Sequence, residues 1–111
     1  MTMNWIVILA ALSGALAVGA GAFGAHGASG AAAEWLKTGA QYQMLHAVAA
    51  LAALNFGGRG PAWLFLAGGA IFGVSLYLMA LGAPRWLGAV TPVGGALLIG
   101  GWLWLAWTVR S

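Results

Sequence analysis

Four long apolar stretches dominate the pattern along this chain, and only short polar or Pro/Gly-containing breaks separate them. A helix that crosses the hydrocarbon core of a bilayer needs roughly 20 mostly apolar residues, and each stretch approaches that length. The first runs from Asn4 to Ala25 with no charged side chain inside it. The second runs from Gly39 to Phe56 and stops at NFGGRGP, which supplies glycines, a charge and a proline. The third opens at Pro61 and continues to Leu81, where GAPRW interrupts it. A proline suits the start of a helix because its missing N–H has no partner there in any case. The fourth would be broken by Pro92 if drawn from Trp86. Placing Thr91 at the N-cap and Pro92 at the first helical position gives a helix over 92–109, with Trp86 to Val90 as an interfacial turn.

The longest connection, Gly27 to Lys37, is predicted to hold a short helix lying on the membrane, with Trp35 and Leu36 dipping in and Glu34 and Lys37 facing water. Tryptophan favours the level of the lipid head groups. Trp5, Trp63, Trp104 and Trp107 fall at one end of the four alternating stretches and Trp35 and Trp86 at the other, while Trp102 lies deeper. Positive charge does not set the orientation: Arg59 and Arg110 on one side balance Lys37 and Arg85 on the other. The expectation adopted is that both termini are cytoplasmic.

Composition agrees with the pattern. Of 111 residues, 63% are hydrophobic and 5% charged, with a mean hydropathy of +0.97, whereas a soluble domain carries about a quarter charged residues. Four Lys/Arg and one acid cannot make a water-soluble shell. The net charge of +3 comes from scattered residues, not the concentrated basic face that nucleic-acid binding requires. With no cysteine, disulfides, thiolate metal sites and cysteine nucleophiles are excluded. The first stretch is longer than the apolar core of a signal peptide and no Lys or Arg precedes it, so a retained span is expected.

Within that first stretch Gly19-x-Gly21-x-x-Gly24 has the spacing of a dinucleotide-binding fingerprint. Such a loop must follow a strand, open a helix and be backed by an acid about 20 residues on. Here the glycines sit inside an apolar span, and the one acid, Glu34, comes ten residues after Gly24. Close helix packing explains them better, since helices in lipid associate where small residues let backbones approach. The rows Ala11/Ala15/Gly19, Ala17/Gly21/Ala25 and Ala20/Gly24 mark span one, Gly69 and Gly73 span three, and Ala96 and Gly100 span four.

Ionisable residues inside a span are functional candidates because they cost energy to insert. His46 lies roughly 10 Å beyond Gly39 at the helical rise. Tyr42 and Gln43 precede it by four and three positions and share its side of the helix, and Thr38 extends the stripe to the surface. His26 ends span one, on the membrane face from which span two departs. Span three offers Ser75 and Tyr77 and span four Thr91, so a hydrogen-bonded cluster of His26, Tyr42, Gln43, His46 and Tyr77 is permitted by spacing. Three uses compete. The histidines could hold haem iron or a metal, although no haem-attachment motif and no intramembrane carboxylate accompany them. The stripe could pass a proton or small solute, or it could serve as polar glue fixing helix register. An enzyme is disfavoured, because the one acid is interfacial and no serine–histidine–acid constellation can form within the bilayer.

GAFGAH (Gly21 to His26), WLKTGAQYQMLH (Trp35 to His46), GVSLY (Gly73 to Tyr77), TPVGG (Thr91 to Gly95) and the Gly101-Trp102 pair occur in this order over nearly the whole chain. Together they resemble the YgdD-like family of small membrane proteins, domain of unknown function 423, which also has small eukaryotic transmembrane relatives. The resemblance implies a four-helix protein of the bacterial inner membrane without an established activity. The shared residues fall on His26, Trp35, Thr38, Gly39, Tyr42, Gln43, His46, Ser75, Tyr77, Thr91 and Pro92. The reading is an all-α, up-and-down bundle of four transmembrane helices forming one domain, with no cofactor. It is expected to act by association with lipid, with itself or with a larger membrane complex. The alternative is binding or transport of a small solute, proton, lipid, haem or metal at the His26/Tyr42/Gln43/His46 cluster.

Overall fold

A computed structural model describes residues 4–110 as four long helices and one short one. Helix α1 spans Trp5–His26, α2 Gly30–Leu54, α3 Arg59–Ala80 and α4 Thr91–Thr108, and a 3-10 helix covers Arg85–Ala89. Asn4 caps α1: its side-chain oxygen accepts the Val7 N–H at 3.3 Å, satisfying one of the donors a helix start leaves free. The reversals after α2 and α3 need a left-handed backbone, which glycine adopts without steric cost. Gly57 has φ +73° and Gly82 φ +104°. In each turn a later N–H reaches back into the helix, Gly58 to Ala53 O and Ala83 to Leu78 O, both at 2.9 Å, the arrangement of a Schellman cap.

Two expectations need correction. The predicted interfacial segment is not a separate helix: α2 is continuous from Gly30, and residues 30–37 are its first turns. GAAAEWLK carries no breaker after Gly30, and Ala33 and Leu36 extend the buried stripe of Gly39, Ala40, Gln43 and His46 towards the N-terminus. Glu34 and Lys37 face outward, 3.9 Å apart. Nor is Thr91 a cap. The backbone is already helical at Val90, which occupies the cap position, and no side-chain bond closes the helix start. The Thr91 hydroxyl is used elsewhere, as described below.

Consecutive helices pack as antiparallel neighbours. Gly14 and Gly24 of α1 face Met44 and Leu36 of α2, Gly39 of α2 faces Gly73 and Tyr77 of α3, and Gly68 of α3 faces Gly94 and Leu98 of α4. Helices α2 and α3 occupy the middle and α1 and α4 flank them in a flattened assembly of 46 × 30 × 19 Å. A wholly apolar core of Ile6, Ala10, Ala50, Ala53, Ala62 and Phe65 fills the end where α1 begins and α2 ends. Helices α3 and α4 approach closely at Gly94, where a Cβ would lie 2.5 Å from the Phe72 amide nitrogen. The outer faces of α1 and α4 carry exposed Val7, Leu12, Val18, Ile99 and Leu103, a surface suited to hydrocarbon and not to water.

Among the described residues three helical segments are long and apolar enough to cross a membrane: Trp5–His26, Arg59–Ala80 and Arg85–Thr108. Helix α2 has the length, 25 residues, but carries Glu34, Lys37, Gln41, Gln43 and His46. Of these, Gln43 and His46 are buried and belong to the site, while Glu34, Lys37 and Gln41 are exposed.

Candidate functional site

Gln43 and His46 are adjacent on the buried stripe of α2, 2% and 4% exposed. Their three-residue spacing points both into the bundle, and each recruits different helices. The Gln43 amide nitrogen donates to Ser13 Oγ at 2.9 Å, and its oxygen accepts the Tyr77 hydroxyl at 2.7 Å. One side chain thereby joins α1, α2 and α3. Gly73 and Gly39 make room for this: a Cβ on Gly73 would lie 3.2 Å from Gln43 Oε1, and one on Gly39 2.7 Å from the Tyr77 ring.

His46 is held at both ring nitrogens. Nδ1 lies 2.7 Å from the Tyr42 carbonyl oxygen, and the Trp102 indole N–H donates to Nε2 at 3.1 Å. A carbonyl only accepts and an indole N–H only donates, so these two contacts call for the tautomer with its hydrogen on Nδ1. Around the ring stand Phe65 at 5.6 Å, Trp102 at 5.9 Å and Tyr42 at 6.3 Å between centroids, Tyr42 being nearly parallel at 3°. A third link joins α3 to α4. The Ser75 and Thr91 hydroxyl oxygens lie 2.6 Å apart, and Ser75 also reaches the Phe72 carbonyl at 3.0 Å.

The structure thus brings Gln43 together with Tyr77, His46 with the Tyr42 backbone, and Ser75 with Thr91. It leaves His26 and Thr38 on the exposed surface, outside the cluster. The Tyr42 side chain is half exposed, packs on Phe72 at 4.6 Å, and makes no hydrogen bond to another described residue. Of the glycines, Gly24 packs tightly on Leu36, Gly73 on Gln43 and Tyr77, and Gly21 on Ala40. Gly69 and Gly100 make looser contacts, and Gly19 has open space where a side chain would be.

Two members were not selected from the sequence, Ser13 and Trp102. Each carried a signal: Trp102 is the tryptophan outside both belts, and Ser13 is the one hydroxyl residue between Trp5 and His26. No group of three or more His, Asp or Glu among the described residues is placed to hold a metal ion. A haem or metal ligand at His46 would have to displace Trp102 from Nε2.

The family described as "Protein of unknown function (DUF423)" matches residues 20–95. The chain is 42% identical over 113 residues to the UPF0382 inner membrane protein YgdD of Escherichia coli, covering 92% of this chain and 86% of that one. It is 40% identical over 116 residues to the UPF0382 membrane protein SH2409 of Staphylococcus haemolyticus, covering 93% of each. To the UPF0382 membrane protein YwdK of Bacillus subtilis it is 40% identical over 114 residues, covering 91% and 92%. No solved structure matches. A small multi-pass helical membrane protein whose sequence aligns with these relatives over nearly its full length, the chain belongs to the DUF423 family.

Proposed function

We propose that the protein is a non-enzymatic, four-span component of the bacterial cytoplasmic membrane that works by helix association, with a second copy or as an accessory subunit of a larger complex. The supporting observation is the row Ala11, Ala15 and Gly19 on α1. All three are exposed, and among the described residues nothing lies within 4 Å of where a Gly19 Cβ would be. Small residues four apart are what close helix packing in lipid uses, and here the row is left over once the chain has folded. The polar residues fit a supporting role. His46, Tyr77, Ser75 and Thr91 are engaged with other helices of the same chain, which favours polar glue over a proton path or an axial ligand.

Native mass spectrometry of the protein extracted with its surrounding lipid tests this reading. A discrete multiple or a larger co-purifying complex is expected, and Gly19→Leu should shift it to the monomer without lowering thermal stability. A wild-type monomer overturns the proposal. Gly21→Leu and Gly24→Leu are poor tests of assembly, because both positions pack on α2 within the chain.

A further inference from the structure

We propose that the groove between α1 and α3 is a binding site for an uncharged, chain-bearing carbonyl compound of the quinone type, held at the middle of the membrane by Gln43 and Ser13. Helices α1 and α3 both rest on α2 but touch each other only lightly. Between them lies a groove of about 360 Å³, walled by Leu9, Leu12, Leu16, Trp63 and Val74 and open on its outer side. Apart from the Trp63 indole, its polar lining among the described residues is Ser13 and Gln43, and Gln43 is 2% exposed.

A count of hydrogens shows what this floor lacks. Ser13 and Tyr77 carry one hydroxyl hydrogen each and the Gln43 amide carries two. The two bonds among them use two of the four, and the total is unchanged if the amide is turned over. A serine in a helix commonly spends its hydroxyl on a carbonyl one turn back. Ser75 and Thr108 do so, to Phe72 and Trp104, but Ser13 has no such bond. Donors are therefore left over at the floor of an apolar groove, where hydrocarbon offers no acceptor.

The complementary ligand has acceptor oxygens, no charge and enough apolar surface to enter from the bilayer. Ser13 is the ninth residue of α1 and Gln43 the fourteenth of α2, so both sit near mid-span. The ester carbonyls of a diacyl lipid lie at the edge of a hydrocarbon layer about 30 Å thick. A mobile ring carbonyl reaches the centre, and an ester fixed at the edge does not. Trp63 on the groove wall supplies the readout.

The experiment uses the full chain in lipid nanodiscs, with decyl-para-benzoquinone as probe and tryptophan fluorescence as signal. Saturable quenching is expected, with the quenched component missing from Trp63→Phe. Decylbenzene, which has the chain and ring but no carbonyl, should compete about tenfold more weakly or worse. Gln43→Leu should weaken quinone binding by a similar factor. Should that variant fail to fold, Ala70→Leu, at another residue lining the groove, fills it while leaving the network intact and should abolish saturation. Equal competition by decylbenzene, non-saturable quenching, or unchanged binding in Ala70→Leu overturns the proposal. Discs of ester lipid and of ether lipid should give the same affinity. Binding seen only in ether lipid would assign the site to the ester carbonyl of a phospholipid and overturn the quinone-type assignment.

Discussion

At the scale of single residues, Gln43 and His46 divide the work of joining four helices, and their neighbours allow that division to be measured. Tyr77→Phe deletes one donor to a buried amide oxygen and keeps the ring. It should cost about 1 kcal/mol of stability, or somewhat less if membrane hydrogen bonds average roughly 0.6 kcal/mol. Reversible unfolding in mixed micelles would register the loss, and an unchanged midpoint would mean that Gln43 finds another donor. Trp102→Phe should cost a similar amount by leaving His46 Nε2 bare. Nitrogen NMR of labelled histidine reports directly on the hydrogen-bond logic: His46 should show a protonated Nδ1 and an unprotonated Nε2, and the opposite tautomer would contradict the Tyr42 and Trp102 contacts. The buried glutamine and histidine were legible from their spacing on one helix face. Ser13 and Trp102 were not, because a lone hydroxyl or indole in an apolar stretch acquires its meaning from whichever helix lies opposite.

At the scale of elements, the helices themselves were readable because their breaks are chemical: Gly57, Gly82, Pro61 and Pro92 sit at or beside the turns. What the pattern did not separate was packing glycines from exposed ones, since both satisfy the same spacing. Contact decides between them. Gly94→Ala would push a Cβ to 2.5 Å from the Phe72 backbone and 2.8 Å from the Gly68 carbonyl, and neither can yield without parting α3 from α4. A loss of roughly 1–3 kcal/mol is expected for such overpacking. Gly100→Ala meets only the Leu64 side chain at 3.8 Å and should fall within about 0.5 kcal/mol of wild type. Comparable losses from the two would show that the α3–α4 approach is not glycine-dependent. The first turns of α2 teach a related point: the sequence 30–37 resembles an amphipathic surface helix by composition, yet with no breaker before Gly39 it simply continues into the helix behind it.

At the scale of the whole molecule, helix α2 carries the consequences. It is the most polar of the four long helices, and it lies between two helices apolar enough to cross a membrane while running antiparallel to both. If it crosses as proposed, its ends face opposite compartments. The absence of native cysteine makes the test clean. In intact cells an impermeant maleimide should label Glu34→Cys, and should label Asn55→Cys only after permeabilisation, if both termini are cytoplasmic. The reverse pattern would invert the orientation, and labelling of both from outside would show that α2 does not cross.

Hydropathy, turn chemistry and tryptophan position are local properties, so the chain order alone sufficed to place four helices and a membrane setting, although it began α2 nine residues late. Pairing is not local. That Gln43 meets Ser13 and Tyr77, that Trp102 rather than His26 completes His46, and that α1 and α3 stand apart over two unspent donors all depend on helix rotation and crossing. Those are set by which glycines lie in contact, and only the packed structure brings residues 30 to 56 positions apart within hydrogen-bond reach.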